Sequence, residues 1–124
     1  MKRIVYVNGE YVTEDKAQIS IFDRGFLFAD GVYEVTSVLK SKLIDFQGHS
    51  SRLSRSLSEL QMENPLSTEK LLSVHKELIK KNNITEGLVY LQITRGAADR
   101  DFAFPKSAVP TIVMFTQEKT MLGN

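Results

Sequence analysis

Apolar and polar residues alternate near both ends of the chain, whereas apolar residues recur every three or four positions in its middle. Alternation predicts strands with one buried face, and the wider spacing predicts amphipathic helices. Strands are predicted at residues 4–7, 11–12, 19–22, 32–39, 43–46, 88–95 and 111–116. In the strand at 32–39, the alternation places Tyr33 and Glu34 on opposite faces of the sheet.

Two helices are predicted between these strands. The first begins at about Gly48 and ends before Pro65, and its buried stripe consists of Leu53, Leu57 and Leu60. The second follows Ser67, whose hydroxyl can cap a helix, and extends to about Asn82. Strands, two helices and further strands in this order predict an α+β fold, a mainly antiparallel sheet with two helices on one face.

Turn-forming residues separate the predicted strands. Asn8 and Gly9 form the pair that most readily adopts positive φ in a type I′ turn, so a hairpin should open the chain. The segment 23–35, DRGFLFADGVYEV, contains two glycines that free the backbone and two aspartates that can hydrogen-bond to it. The loop 96–110 mixes aromatic and charged residues, which is typical of binding loops. We expect a ligand site where the first loop meets the strand of Tyr33.

Composition narrows the function mainly by exclusion. A chain of 124 residues is long enough to bury one core without disulfides or metal. The absence of cysteine excludes a disulfide framework, a thiolate metal site and a cysteine nucleophile, and two isolated histidines give no metal-binding spacing. A net charge of +1 gives no reason to expect nucleic acid. No apolar run approaches the ~20 residues of a membrane span, and no signal-peptide core is present, so we expect a cytoplasmic protein.

Few side chains are candidates for chemistry. Arg52 lies beside the apolar stripe of the first helix, so packing can hold its guanidinium, whose planar fork suits phosphate. From spacing alone, the commoner role for Arg52 is pairing with a carboxylate, and the commoner role for Tyr33 is that of an ordinary strand aromatic. Glu34 needs a polar partner if it is buried.

Other polar residues are expected to be structural. Arg24 and Arg95 should pair with nearby acids such as Asp23 or Glu34. His75 lies on an apolar helix face, where a histidine is more often a hydrogen-bonded core residue than a catalyst.

Three segments together resemble the fold-type IV aminotransferases, which depend on pyridoxal 5'-phosphate. They are the DRGFLFADGVYEV segment, the HSSRL segment at 49–53, and Thr94-Arg95-Gly96 followed by Arg100, Phe104 and Pro105. These segments span most of the chain in the family's order, and the third is most similar to the D-amino acid aminotransferases. The resemblance implies the small N-terminal domain of such an enzyme.

The resemblance also implies roles for four residues. Arg52 matches the arginine that binds the cofactor phosphate, and Tyr33 and Arg100 match the pair that binds the substrate carboxylate. Phe102 stands where the D-amino acid enzymes carry a histidine, so it would form an apolar wall of the substrate site. In the family, the loop of Arg100 reaches into the neighbouring subunit's site, which implies a homodimer.

The catalytic lysine of the family has no counterpart in these residues. That lysine holds pyridoxal 5'-phosphate as a Schiff base and follows the segment that resembles residues 109–119, in a second domain. Residues 1–124 are therefore expected to be an N-terminal aminotransferase domain without the lysine domain. Such a fragment has no catalytic residue of its own, should be inactive alone, and should not retain the cofactor.

The activity expected of the complete enzyme is transfer of an amino group between a D-amino acid, such as D-alanine, and a 2-oxo acid, such as 2-oxoglutarate. Two alternatives belong to the same family. An aminodeoxychorismate lyase shares the DRGFLFADGVYEV segment, and a branched-chain aminotransferase would favour the more apolar site that Phe102 permits. A third alternative is a non-catalytic binding or assembly module.

Overall fold

The computed structural model describes residues 2–101, 103, 105 and 108–120. Its strands and α-helices are β1 (Ile4–Val7), β2 (Glu10–Thr13), α1 (Arg24–Phe28), β3 (Gly31–Leu39), β4 (Lys42–Leu43), α2 (Phe46–Glu59), α3 (Thr68–Lys81), β5 (Gly87–Thr94) and β6 (Thr111–Glu118). A short 3₁₀ helix at Glu14–Lys16 follows β2. The strands form one six-stranded sheet in the order β2-β1-β6-β5-β3-β4. Neighbouring strands are antiparallel, and helices α2 and α3 pack on one face, which confirms the predicted α+β fold.

The hydrophobic core lies between the sheet and helices α2 and α3. Its buried members come from both helices and from the inner face of the sheet, and they include Val38, Leu53, Leu57, Leu71, Val74, Leu78, Val89, Leu91, Ile93 and Met114. Burial of one such side chain stabilises the folded state by about 1.5–3 kcal/mol. Since side chains alternate along β3, packing Val38 into this core turns Glu34 inward and Tyr33 outward.

The first hairpin and the second long helix follow the predictions. Asn8 and Gly9 have φ values of 49° and 97°, and they join β1 to β2 as expected. The Ser67 hydroxyl accepts a hydrogen bond from the backbone N–H of Lys70 at 3.1 Å, so it caps α3 as predicted. These local signals therefore determine the turn between β1 and β2 and the start of α3.

The strand predicted at residues 19–22 is wrong. These residues belong to no strand of the sheet, and the short helix α1 follows them. Helix α1 forms because the Asp23 carboxylate accepts a hydrogen bond from the backbone N–H of Gly25 at 2.8 Å. Ala29, with a φ of 54°, closes its C-terminal end. Alternation misled the prediction here because none of the strands in the described part of the chain pairs with this segment.

The strand predicted at residues 43–46 exists only in part. Asp45 adopts a φ of 57°, and its carboxylate accepts a hydrogen bond from the backbone N–H of Gly48 at 3.2 Å. This cap starts α2 at Phe46, so β4 consists of only Lys42–Leu43.

None of the helices in the described ranges combines the length and the apolar character that crossing a bilayer requires.

Candidate functional site

A buried carboxylate links β3 to α2 at the edge of the sheet. Glu34 is 6% exposed and points into the helical face of the sheet. Its Oε1 lies 2.7 Å from Nδ1 of His49. Its two oxygens also accept hydrogen bonds from Nε and Nη2 of Arg52, both at 2.8 Å. One carboxylate thus holds two basic side chains of α2, and the expected pairing of Glu34 with Arg24 or Arg95 is replaced by these contacts.

The hydrogen bonds keep this carboxylate ionised. Burial by itself raises the pKa of Glu34, but the hydrogen bonds from Arg52 and His49 outweigh it and hold the pKa below its usual value. The same hydrogen bonds to Glu34 raise the pKa of Arg52. The site therefore contains a carboxylate and a guanidinium that are both charged at neutral pH.

Arg52 nevertheless presents part of its guanidinium to solvent. Its side chain is 57% exposed. No residue that the structure describes accepts a hydrogen bond from its Nη1. Tyr33 and Asp45 are both near enough to interact electrostatically with it. An exposed cationic edge with unused N–H donors can bind an anion such as a phosphate group.

Tyr33 lies on the opposite face of β3, within a row of aromatic rings. The Tyr33 side chain is 64% exposed, and its ring stacks on that of Tyr90 at 5.8 Å between centroids. Tyr90 stacks in turn on Phe115 at 4.9 Å, and the Tyr90 hydroxyl donates a hydrogen bond to Gln92. The outer face of β3, β5 and β6 therefore provides a flat aromatic surface with an exposed hydroxyl at its edge.

A second buried ion-pair cluster fixes the loop before β3. Asp30 Oδ2 accepts hydrogen bonds from Nε of Arg24 and from Nε of Arg95, both at 2.8 Å. These arginines therefore pair with a nearby acid, as expected, but the acid is Asp30 and not Asp23 or Glu34. Burial raises the pKa of Asp30, but the hydrogen bonds from Arg95 and Arg24 outweigh it and leave the pKa below its usual value.

Arg100 lies close to this second cluster. Its Cζ is 5.3 Å from the centroid of the Phe28 ring, and Cζ of Arg24 is 4.6 Å from the same ring. The backbone near Arg100 is attached to the first loop, because the N–H of Ala98 donates to the carbonyl of Phe22 at 3.2 Å. The structure thus places Arg100 against α1, whereas Arg52 lies within electrostatic range of Tyr33.

Phe102, the fourth residue that the resemblance selects, lies outside the described residues. His75 is buried in the core, and its Nδ1 lies 2.7 Å from the backbone carbonyl oxygen of Leu71, as expected of a core histidine. Sequence reasoning did not select Glu34 or Tyr90 as parts of the site. The available signal for Glu34 was an acid at an inward position of an otherwise apolar strand face.

Comparison with known sequences identifies the family. The model of a family described as amino-transferase class IV matches residues 31–123. A D-alanine aminotransferase from Staphylococcus haemolyticus is 40% identical over 110 residues, which cover 89% of this chain and 39% of that protein. One from Listeria monocytogenes is 40% identical over 92 residues, which cover 74% of this chain and 32% of that protein. The chain thus spans about two fifths or less of the length of these relatives.

Comparison with solved structures supports the same fold. The Escherichia coli branched-chain amino acid aminotransferase matches with a TM-score of 0.89 and 19% identity, over 99% of this chain and 42% of that one. The branched-chain aminotransferase from Thermoproteus uzoniensis, solved with norvaline, matches with a TM-score of 0.84 and 15% identity, over 95% of this chain and 41% of that one. At this identity the match concerns the fold alone. The sequence match and the shared fold together show that the chain belongs to the class IV aminotransferase family.

Proposed function

We propose that residues 1–124 are the N-terminal domain of a cytoplasmic D-amino acid aminotransferase. The enzyme would transfer an amino group between a D-amino acid, such as D-alanine, and a 2-oxo acid, such as 2-oxoglutarate. The relatives named D-alanine aminotransferase, at 40% identity, support this substrate class. The observation that carries the proposal is the exposed edge of Arg52, which Glu34 holds close to Tyr33.

The donors present at this site fit the phosphate of pyridoxal 5'-phosphate. Arg52 offers N–H groups on Nη1 that no described residue uses, and arginine binds phosphate oxygens through two parallel hydrogen bonds. Arg52 would therefore hold the phosphate beside α2. When bound, pyridoxal 5'-phosphate supplies the electron sink that amino-group transfer requires.

Tyr33 and Arg100 would bind the carboxylate of the amino acid. A guanidinium and a phenolic hydroxyl both donate hydrogen bonds to carboxylate oxygens, and the Tyr33 hydroxyl stands on an exposed face. Phe102 would add an apolar wall, because its ring has no hydrogen bond to donate. These contacts would fix the orientation of the substrate.

A homodimer would bring Arg100 to the site of the neighbouring subunit. Apolar side chains are exposed around its loop, with Phe26 at 70% and Val109 at 79% exposure. Phe22, also exposed, is bonded through its carbonyl to Ala98 of that loop. Exposed apolar patches of this kind mark interfaces. Phe26→Asp should shift the protein towards the monomer in sedimentation-velocity experiments, and an unchanged sedimentation coefficient would place the interface elsewhere.

The amine that chemistry requires would come from outside this segment. Among the described residues, no lysine forms a hydrogen bond or an ion pair with Glu34, Arg52 or Tyr33. Residues 1–124 alone should therefore neither transaminate nor retain pyridoxal 5'-phosphate through gel filtration.

The test is a substrate comparison on the gene product that carries these residues together with the rest of the aminotransferase length. The protein is incubated with pyridoxal 5'-phosphate, 2-oxoglutarate and either D-alanine or L-leucine, and separately with aminodeoxychorismate and no 2-oxo acid. The new 2-oxo acid is measured in each case. Pyruvate formed from D-alanine is the expected result. Turnover of L-leucine alone would assign a branched-chain aminotransferase. Release of pyruvate from aminodeoxychorismate without an amino acceptor would assign a lyase, and no turnover of any substrate would favour a non-catalytic module.

A further inference from the structure

We propose that Glu34 is a positioning residue that holds the Arg52 guanidinium so that its outer edge faces a phosphate group. This inference rests on the proposed function, because it concerns the phosphate-binding arginine of the same site. Glu34 itself would not touch the ligand. It would act only through the orientation of Arg52.

The geometry of the pair shows which edge is occupied and which is available. A guanidinium has five N–H donors in one plane. Glu34 accepts from Nε and from Nη2 of Arg52 at 2.8 Å each, so two parallel bonds fix the plane and its rotation. One donor of Nη1 and the second donor of Nη2 form the outer edge of the guanidinium. Nη2 also lies 3.2 Å from Nδ1 of His49. That edge has the spacing for two oxygens of a phosphate group.

The carboxylate that orients Arg52 is itself held firmly. Glu34 lies within the paired region of β3, opposite Leu91 of β5, and is 6% exposed. Its third contact, with Nδ1 of His49 at 2.7 Å, ties the same carboxylate to the start of α2. Arg52 is 57% exposed and would otherwise sample many rotamers, which an anion would have to restrict on binding. Glu34 removes most of that freedom beforehand.

The negative charge of Glu34 should repel an anion, whereas its positioning of Arg52 should favour anion binding. This difference makes the proposal testable. A carboxylate near Arg52 weakens the attraction of the site for phosphate. If charge dominated, Glu34→Gln would strengthen phosphate binding. If orientation dominates, as proposed, the same change weakens binding, because an amide has a single acceptor oxygen and its nitrogen is a donor, so the two parallel bonds from the guanidinium are lost.

Asp45 provides a matched control for charge. Its carboxylate interacts electrostatically with Arg52, but its hydrogen bond comes from the backbone N–H of Gly48. An asparagine side chain would keep this cap, and asparagine tolerates the φ of 57° found there. Asp45→Asn therefore removes a negative charge near Arg52 while leaving the Glu34 contacts in place.

The experiment follows the arginine side chains of the ¹⁵N-labelled 124-residue chain by NMR. In the unligated wild type, the Nε–H group of Arg52 should be ordered and slow to exchange with water. Arg55, an exposed arginine of the same helix, serves as the internal reference. An Arg52 signal as mobile as that of Arg55 would overturn the proposal without any variant being made.

The same samples are then titrated with inorganic phosphate, with circular dichroism as the check of folding. Glu34→Gln should weaken binding by about five-fold, the loss expected when one long side chain must be ordered anew. Asp45→Asn should leave binding unchanged or slightly tighter, and Arg52→Ala should abolish it. Binding by Glu34→Gln that equals or exceeds the wild type would overturn the role of Glu34 alone. If the Arg52→Ala variant bound phosphate as tightly as the wild type, the phosphate site of the proposed function would instead be wrong.

Discussion

Replacing Asp30 by asparagine should destabilise the protein strongly. Asp30 accepts hydrogen bonds from Nε of Arg24 and Nε of Arg95 at 2.8 Å, and all three side chains are nearly inaccessible. An asparagine keeps the size but removes the negative charge between two buried cations. The carbonyl oxygens of Asp101 and Leu60 still accept from these arginines. We therefore expect a loss at the lower end of the range for breaking a buried pair, about 3 kcal/mol.

Urea unfolding followed by circular dichroism measures this loss directly. A change of about 3 kcal/mol is a large share of the roughly 5–15 kcal/mol that stabilise a typical domain, and it lowers Tm by about 10 °C. Asp15→Asn is the control, because Asp15 makes an equally short ion pair with Lys2 at 2.7 Å on the surface. This control should unfold like the wild type, since exposed pairs contribute little. If Asp30→Asn also unfolded like the wild type, the inferred importance of the buried cluster would be wrong.

Three further predictions concern the sheet, the core and the substrate site. Gly31→Ala should cost about 1–3 kcal/mol in urea unfolding, because an added Cβ would lie 2.6 Å from the carbonyl oxygen of Ile93; a neutral substitution would contradict that close approach. Burial lowers the pKa of His75 below 6.5, so below that pH the unfolded chain takes up a proton that the folded chain does not. The free energy of unfolding should therefore fall as the pH drops below about 7.5, by up to about 1.4 kcal/mol per pH unit, and His75→Phe should reduce this slope. In the active enzyme, Tyr33→Phe should raise KM for D-alanine about ten-fold with little change in kcat, and an unaltered KM would exclude a carboxylate contact by this hydroxyl.

The parts of the fold that sequence predicted are those that local chemistry determines. Asn8 and Gly9 specify their turn through positive φ, and Ser67 caps α3 with its own side chain. The long alternation in β3 was sufficient to place Tyr33 and Glu34 on opposite faces. These features depend on residues that are close in sequence, so a single sequence contains the information.

Most of the errors arose where contacts between segments decide the outcome. Arg24 and Arg95 were expected to pair with nearby acids such as Asp23 or Glu34, but both contact Asp30. Arg95 reaches Asp30 because the ends of β3 and β5 meet there, and Arg24 reaches it across the short helix α1, six residues away in the chain. Residues 19–22 alternate as a strand does, yet no strand among the residues that the structure describes pairs with them. Neither result follows from propensity, since each depends on which segments the folded sheet brings together.

The candidate site shows the same division. The binding of phosphate by Arg52 and of a carboxylate by the Tyr33 hydroxyl could be proposed from residue type and from the resemblance. The buried Glu34 that holds Arg52 could not, because the two residues are far apart in sequence and only the packing of α2 beside β3 joins them. The structure therefore adds to the site the group that orients its arginine.

A crystal structure of the gene product with pyridoxal 5'-phosphate bound would test the central claim most directly. The proposed site predicts phosphate oxygens at about 2.7–2.9 Å from Nη1 and Nη2 of Arg52, with Glu34 still bonded to Nε. A phosphate group bound away from Arg52, or an Arg52 side chain turned away from Glu34 in the complex, would contradict the account.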